Sequence, residues 1–258
     1  MATTSHLPAS FQFPFEVERL YAGLILAVNP QSISDSEPGL GGKLLYAGEL
    51  DQQGRALVVA GNIAGAASLA ATVDLVAPKQ AIRDGVADFL VTSLDEALRI
   101  LKNEIRKREA VAVCVALAPH AVERQMLERG VLPDLLAPGA GPECAPFLSQ
   151  GARPVEPADA GESQTLLAWA VASSPAQWMP RLDAIALGNL GPADWPARRW
   201  LRLAPRYLGR LAQGIRLLRC DEQTASRFQH QVRQAVAAGE IGVPVQHFRF
   251  CSLQKPGS

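Results

Sequence analysis

The residues best spaced for ligand chemistry lie between positions 61 and 66. Gly61, Asn62, Ile63, Ala64, Gly65 and Ala66 follow a short apolar run at 56–60 that is bounded by glycine on both sides. Read as a strand, a glycine turn and a helix start, they would aim helix N-terminal amides at a pyrophosphate, where the helix dipole is positive. The spacing is G-x-x-x-G rather than the dinucleotide fingerprint G-x-G-x-x-G. The acid that would hold ribose hydroxyls about 20 positions further on is not found either, because the expected second strand ends in Ala77, Pro78 and Lys79. From local spacing alone, a tight βα turn that binds nothing is therefore favoured over the cofactor turn.

Other chemistry-bearing residues are scattered. His6, His120, His230 and His247 show no i,i+4 pairing with another ligand type, so no metal is expected. His120 follows the run 111–117, where open α/β sheets place ligands, and Glu143 is the other ionisable residue expected near that edge. Cys114, Cys144, Cys220 and Cys251 form no CxxC pair and read as reduced thiols, with Cys114 inside an apolar strand. The basic run Arg198, Arg199, Arg202, Arg206 and Arg210 fits the solvated face of a helix.

The elements that would position these residues alternate. A helix is expected over 15–28, then a loop over 29–42, a strand at 56–60 and a small-residue helix at 64–73. Further strands are expected at 74–77, 86–91, 111–117 and 134–136. Helices are expected at 79–84, from Ser93 to about 108, and at 119–129, the second opened by a Ser93/Glu96 capping box. This alternation implies parallel βαβ units in a doubly wound sheet. Residues 138–161 read as a Pro/Gly-rich linker, and 163–244 as mostly helical with a strand at 215–219. The expected organisation is an N-terminal tail and helix at 1–43, a Rossmann-like domain at 44–150, and a C-terminal core segment at 151–258.

With 25 basic and 25 acidic residues the formal charge is zero, so nucleic acid and anionic membrane are not expected partners. Hydrophobic residues make up 48%, enough for a buried core, and no apolar run reaches membrane-spanning length. No signal peptide is visible, which makes the cytoplasm the expected compartment.

Several stretches in order resemble urocanase, the NAD-dependent urocanate hydratase. Residues 61–70 resemble that family's glycine-rich cofactor loop, and Leu94-Asp95-Glu96-Ala97-Leu98 its helix start. Val113 to Leu117, then Glu123, Arg129, Gly130, Pro133 and Asp134, are similar to the run that follows. Trp200, Leu201, Ala204, Ile215, Gly239, Glu240, Ile241, Pro244 and Val245 resemble its C-terminal core segment. The resemblance implies a Rossmann-like NAD domain inserted in a smaller α/β core domain, usually in a homodimer, acting in histidine breakdown. It implies Gly61, Asn62, Ile63, Ala64, Gly65 and Ala66 as the cofactor-binding residues. In that family NAD⁺ adds to the imidazole of urocanate and water is added across the side chain.

The departures are as informative. The family's N-terminal Gly-Pro-Gly-Gly and Tyr-Gly-Trp region has no counterpart. Its Gly-Asn-Ala-Ala-Glu turn reads Pro119-His120-Ala121-Val122-Glu123, and its Glu-Val-Asp after the second strand is not found. The expected function is a truncated, diverged urocanase-like protein that keeps the dinucleotide-binding-type fold without hydratase activity, as a pseudoenzyme or interaction protein. Its expected partners are a second copy or a full-length urocanase-like chain. The alternative is an NAD-dependent lyase or hydratase acting on urocanate or a related small molecule. No catalytic residue is assigned.

Overall fold

A computed structural model describes residues 8–28, 39–74, 76–139, 141, 144–161 and 163–250. His6, Glu143 and Cys251 lie outside the described residues. The chain divides into two compact units, one formed by Glu16–Ala158 and the other by Met1–Phe15 with Asp159–Ser258. No helix among the described residues is long and apolar enough to cross a membrane.

The first unit carries a six-stranded parallel sheet in the order β3-β4-β2-β1-β5-β6. Its strands are β1 (Leu44–Glu49), β2 (Ala67–Ala71), β3 (Phe89–Val91), β4 (Val111–Val115), β5 (Leu135–Leu136) and β6 (Arg153–Pro154). Between them run α2 (Gln52–Ala64), α3 (Ala77–Arg83), α4 (Leu94–Lys107), α5 (Pro119–Glu128) and the short α6 (Ala145–Ser149). Most of α1 (Ala9–Ala27) also belongs here. The alternating parallel architecture expected from the sequence is present, as are α3, α4, β4 and α5 within a few residues.

One stretch is shifted by a whole element. The run 56–60 is the middle of helix α2, not a strand, and 67–71 is strand β2, not a helix. The reason is burial. Every residue of α2 from Ala56 to Ala64 is buried, so the helix lacks the polar stripe that gives a 3.6-residue period. A short apolar run with Val58 and Val59 then looks like a buried strand. The start signal is instead Asp51, which accepts from the Gly54 amide at 2.8 Å, followed by two glutamines. Strand β2 is Ala-Ser-Leu-Ala-Ala and fully buried between β1 and β4, where small side chains let helices close over both faces. The strand expected at 74–77 does not form: Thr72 ends the β2 pairing, and Ala77 already begins α3. The Pro/Gly-rich segment expected to be a linker holds α6 and β6.

Two carboxylates stitch the entry edge of this sheet. Asp134 accepts from the Leu44 amide at 2.8 Å and pairs with Lys43 at 3.0 Å. Asp88 takes the Ala112 amide at 2.8 Å. Each satisfies a donor that the neighbouring strand leaves open where its ladder begins.

The second unit holds a three-stranded antiparallel sheet in the order β8-β7-β9, from β7 (Gln164–Ala170), β8 (Ile215–Asp221) and β9 (Gln246–Phe250). It also contains α7 (Pro175–Gly188), α8 (Trp195–Leu208) and α9 (Glu222–Ala237). The sequence reading expects β8 and a mostly helical 163–244, and it misses β7 and β9. The polar face of α8 is as expected: Arg198, Arg202 and Arg206 are exposed, while Trp200, Leu201, Ala204 and Leu208 are buried. The Trp200 indole donates to the Leu217 carbonyl at 2.7 Å. Asp183 and Arg216 form an ion pair at 3.0 Å, and burial, opposed by Arg216, raises the Asp183 carboxyl above its usual range.

Candidate functional site

Ligands of open parallel sheets bind beyond the strand C-termini, where outgoing connections part. Here that point lies between β1 and β5. The chain leaves β1 toward β2 on one side, and leaves β5 toward β6 on the other. The residues forming this edge are 48–54 after β1, 72–74 after β2, 116–120 after β4 and 137–139 after β5.

The β1 exit is built by a bulge. Tyr46 pairs with Leu69 and Gly48 with Ala70, so Ala47 is the extra residue. Gly48 takes φ +69, which L side chains rarely adopt, and lies against Ala137 of the β5 exit. The chain then turns through Glu49, Leu50 and Asp51 into α2. A Cβ on Gly54 would lie 1.9 Å from the Glu49 carbonyl oxygen, so the helix starts in direct backbone contact with the strand end. Strand, glycine turn and helix N-terminus are all present, but at 48–54.

Gly61, Asn62, Ile63, Ala64, Gly65 and Ala66 sit at the other end of the same helix. This is a correction: they close α2 instead of opening a helix. Gly65 is its left-handed cap at φ 94, and its amide donates to the Gly61 carbonyl at 2.8 Å. The local dipole is therefore negative, the wrong sign for a pyrophosphate. The side chains are inward and used for packing. Asn62 donates through Nδ2 to the Val86 carbonyl at 2.9 Å and is 3% exposed. A Cβ on Gly61 would meet Ser68 Oγ at 2.7 Å and Leu45 Cδ2 at 2.9 Å.

The acid sought after the second strand is present as well. With β2 ending at Ala71, Asp74 lies just beyond it, twenty positions after Gly54. Its carboxylate is exposed and accepts from the Val76 amide at 2.8 Å. The sequence reading missed it because β2 was expected one element too late.

After β4, His120 is exposed in the first turn of α5. Glu123, one turn further, is 8% exposed and faces the sheet. The Tyr46 hydroxyl donates to its Oε1 at 3.0 Å and lies 3.3 Å from the Pro119 carbonyl. Burial first, and then the Glu123 carboxylate, hold the Tyr46 phenol above its usual range. Burial also pushes the Cys114 thiol up to about 12, with Glu49 adding to it, so it is an inert core group as expected. Cys220 is likewise raised to about 12, chiefly by burial. His247, on β9 in the other unit, is held down at about 4, first by burial and then by Arg233 and Arg249. Among the described residues no group of three His, Cys, Asp or Glu side chains could hold a metal ion.

The family model of the urocanase Rossmann-like domain matches residues 24–140. Over these residues, somewhat less than half of its length, the chain is similar to the urocanase Rossmann-like domain. The match covers α1's last turn, the sheet as far as β5 and the whole edge just described. The urocanase Rossmann-like domain is associated with NAD in general, and the strand–turn–helix at the C-terminal edge of this sheet is 48–54.

Proposed function

We propose that this chain keeps the urocanase Rossmann-like scaffold without hydrating urocanate, and works as a pseudoenzyme or interaction protein. The carrying observation is the use made of Glu123. It is the acid best placed after β4, yet it is buried and taken up by Tyr46 at 3.0 Å. A general acid or base must reach the substrate with a proton to give or take. Glu123 and Tyr46 instead fasten α5 to β1. His120 stands exposed at the same edge, in the first turn of α5. A second copy of the chain, or a full-length urocanase-like chain, is the partner this reading favours.

Asp74 supports a second reading, an NAD-dependent lyase or hydratase acting on urocanate or a related molecule. A carboxylate at this position is the one that holds ribose hydroxyls in dinucleotide folds. The deciding experiment follows urocanate absorbance with the purified full chain and excess NAD⁺. No loss of absorbance is expected. Turnover above the buffer rate that requires NAD⁺ would sink the first reading and leave the second.

A further inference from the structure

We infer that Asp51 occupies, as part of the chain itself, the place of the dinucleotide pyrophosphate at the start of α2, so that this domain has closed its own cofactor turn. The inference rests on the non-catalytic reading above and gives it a physical cause. In a βαβ unit the N-terminal amides of the first helix are the anion site, and bare backbone lets the phosphates approach. Here Asp51 Oδ1 already takes the Gly54 amide at 2.8 Å. Glu49 ends β1 two residues earlier, and Glu16 of α1, whose carboxyl is raised by burial, lowered by Arg19 and raised to a lesser degree by Asp51, lies within electrostatic reach of the turn. Arg55, the one basic residue of the turn, is committed to Asp84 at 2.8 Å. The cradle at Gly54 is closed, since a Cβ there would strike the Glu49 carbonyl. An anion entering this turn meets carboxylates and no free cation from the turn. The residues present do not fit a pyrophosphate.

The test uses the full chain, with inorganic pyrophosphate and NAD⁺ as probes in calorimetric titration and thermal-shift measurements. The wild-type chain is expected to take up neither saturably. Asp51→Gly keeps a residue tolerated at a helix N-cap. It should bind pyrophosphate at least about tenfold more tightly than wild type, since removing a like charge at contact is worth one such step or more. Added salt should weaken that binding. Asp51→Asn retains the cap bond without the charge, and should gain less than Asp51→Gly. It also serves as the folded comparison should the glycine variant lose structure. Saturable one-to-one binding by the wild type that Asp51→Gly does not tighten would overturn the inference. So would a folded Asp51→Gly chain that binds no better than a non-binding wild type, because Asp51 would then not be the barrier. Wild-type NAD⁺ binding without urocanate turnover would remove this inference alone, whereas turnover would remove the non-catalytic reading.

Discussion

The two ends of α2 hold two glycines each and opposite chemistry. The C-terminal end, 61–66, is rich in glycine and alanine because it is pressed against the sheet. Its small residues answer Leu45 and Ser68, and its polar group, Asn62, turns inward to Val86. The N-terminal end, 48–54, also has two glycines, and each has a distinct reason. Gly48 supplies a left-handed bulge, and Gly54 a backbone-to-backbone contact. Only this second end points amides outward at a strand exit. A glycine-rich string therefore marks close packing as readily as a ligand loop, and the sign of the helix dipole tells them apart.

Substitutions at the two ends should separate them by size. Gly54→Ala is expected to be the most damaging, because the added methyl meets a backbone oxygen that cannot move without breaking the turn. A loss of about 3 kcal/mol or more in urea denaturation is expected, beyond ordinary overpacking. A loss under about 1 kcal/mol would mean that the turn is looser than described. Asn62→Ala comes next. It strips the Val86 carbonyl of its buried donor, which should cost roughly 2 kcal/mol by the same measurement. Gly61→Ala should cost less, on the order of 1 kcal/mol. The clash with Ser68 Oγ is with a side chain that can rotate, and alanine regains about 1 kcal/mol of helix propensity over glycine. If Gly61→Ala proved worse than Gly54→Ala, the assignment of the two ends would be reversed.

Much of the first unit was legible in the sequence because its signals are local. Ser93 caps α4 by accepting the Glu96 amide, the last turn of α4 carries Arg106 and Lys107, and β4 is a continuous run of β-branched and small residues. The match to the urocanase domain agrees with the resemblance seen in those stretches. What was not legible depended on tertiary burial. Helix α2 is buried on all sides, so its periodicity vanishes, and β2 is built of alanines that favour helix in isolation. That one exchange moved the candidate site to the wrong end of the helix. It also concealed Asp74. Glu123 was visible as part of the family pattern, but its capture by Tyr46, 77 positions away, has no local trace. Strands β7 and β9 were missed for a similar reason: their pairing partners are distant in sequence, β7 lying between β8 and β9.

The smallest expected effect is the most informative. Asp51→Ala removes the side chain that caps α2, and loss of an N-cap carboxylate typically costs about 1 kcal/mol. For a domain of this size that corresponds to roughly 3 °C in Tm. Against this stands relief of repulsion, because Asp51 shares the turn with Glu49 and lies within electrostatic reach of Glu16. Each exposed like-charge contact of this kind is worth only a few tenths of a kcal/mol, and salt screens it. The cap should therefore win, and Asp51→Ala should melt lower at both low and high salt. A turn that folds for its own stability behaves this way. A turn shaped to receive something else is strained while empty, and its variants gain stability when the awkward group is removed. If Asp51→Ala melts higher than wild type, and most of all at low salt, Asp51 is held there against the interest of the fold, and the self-capping reading of α2 fails.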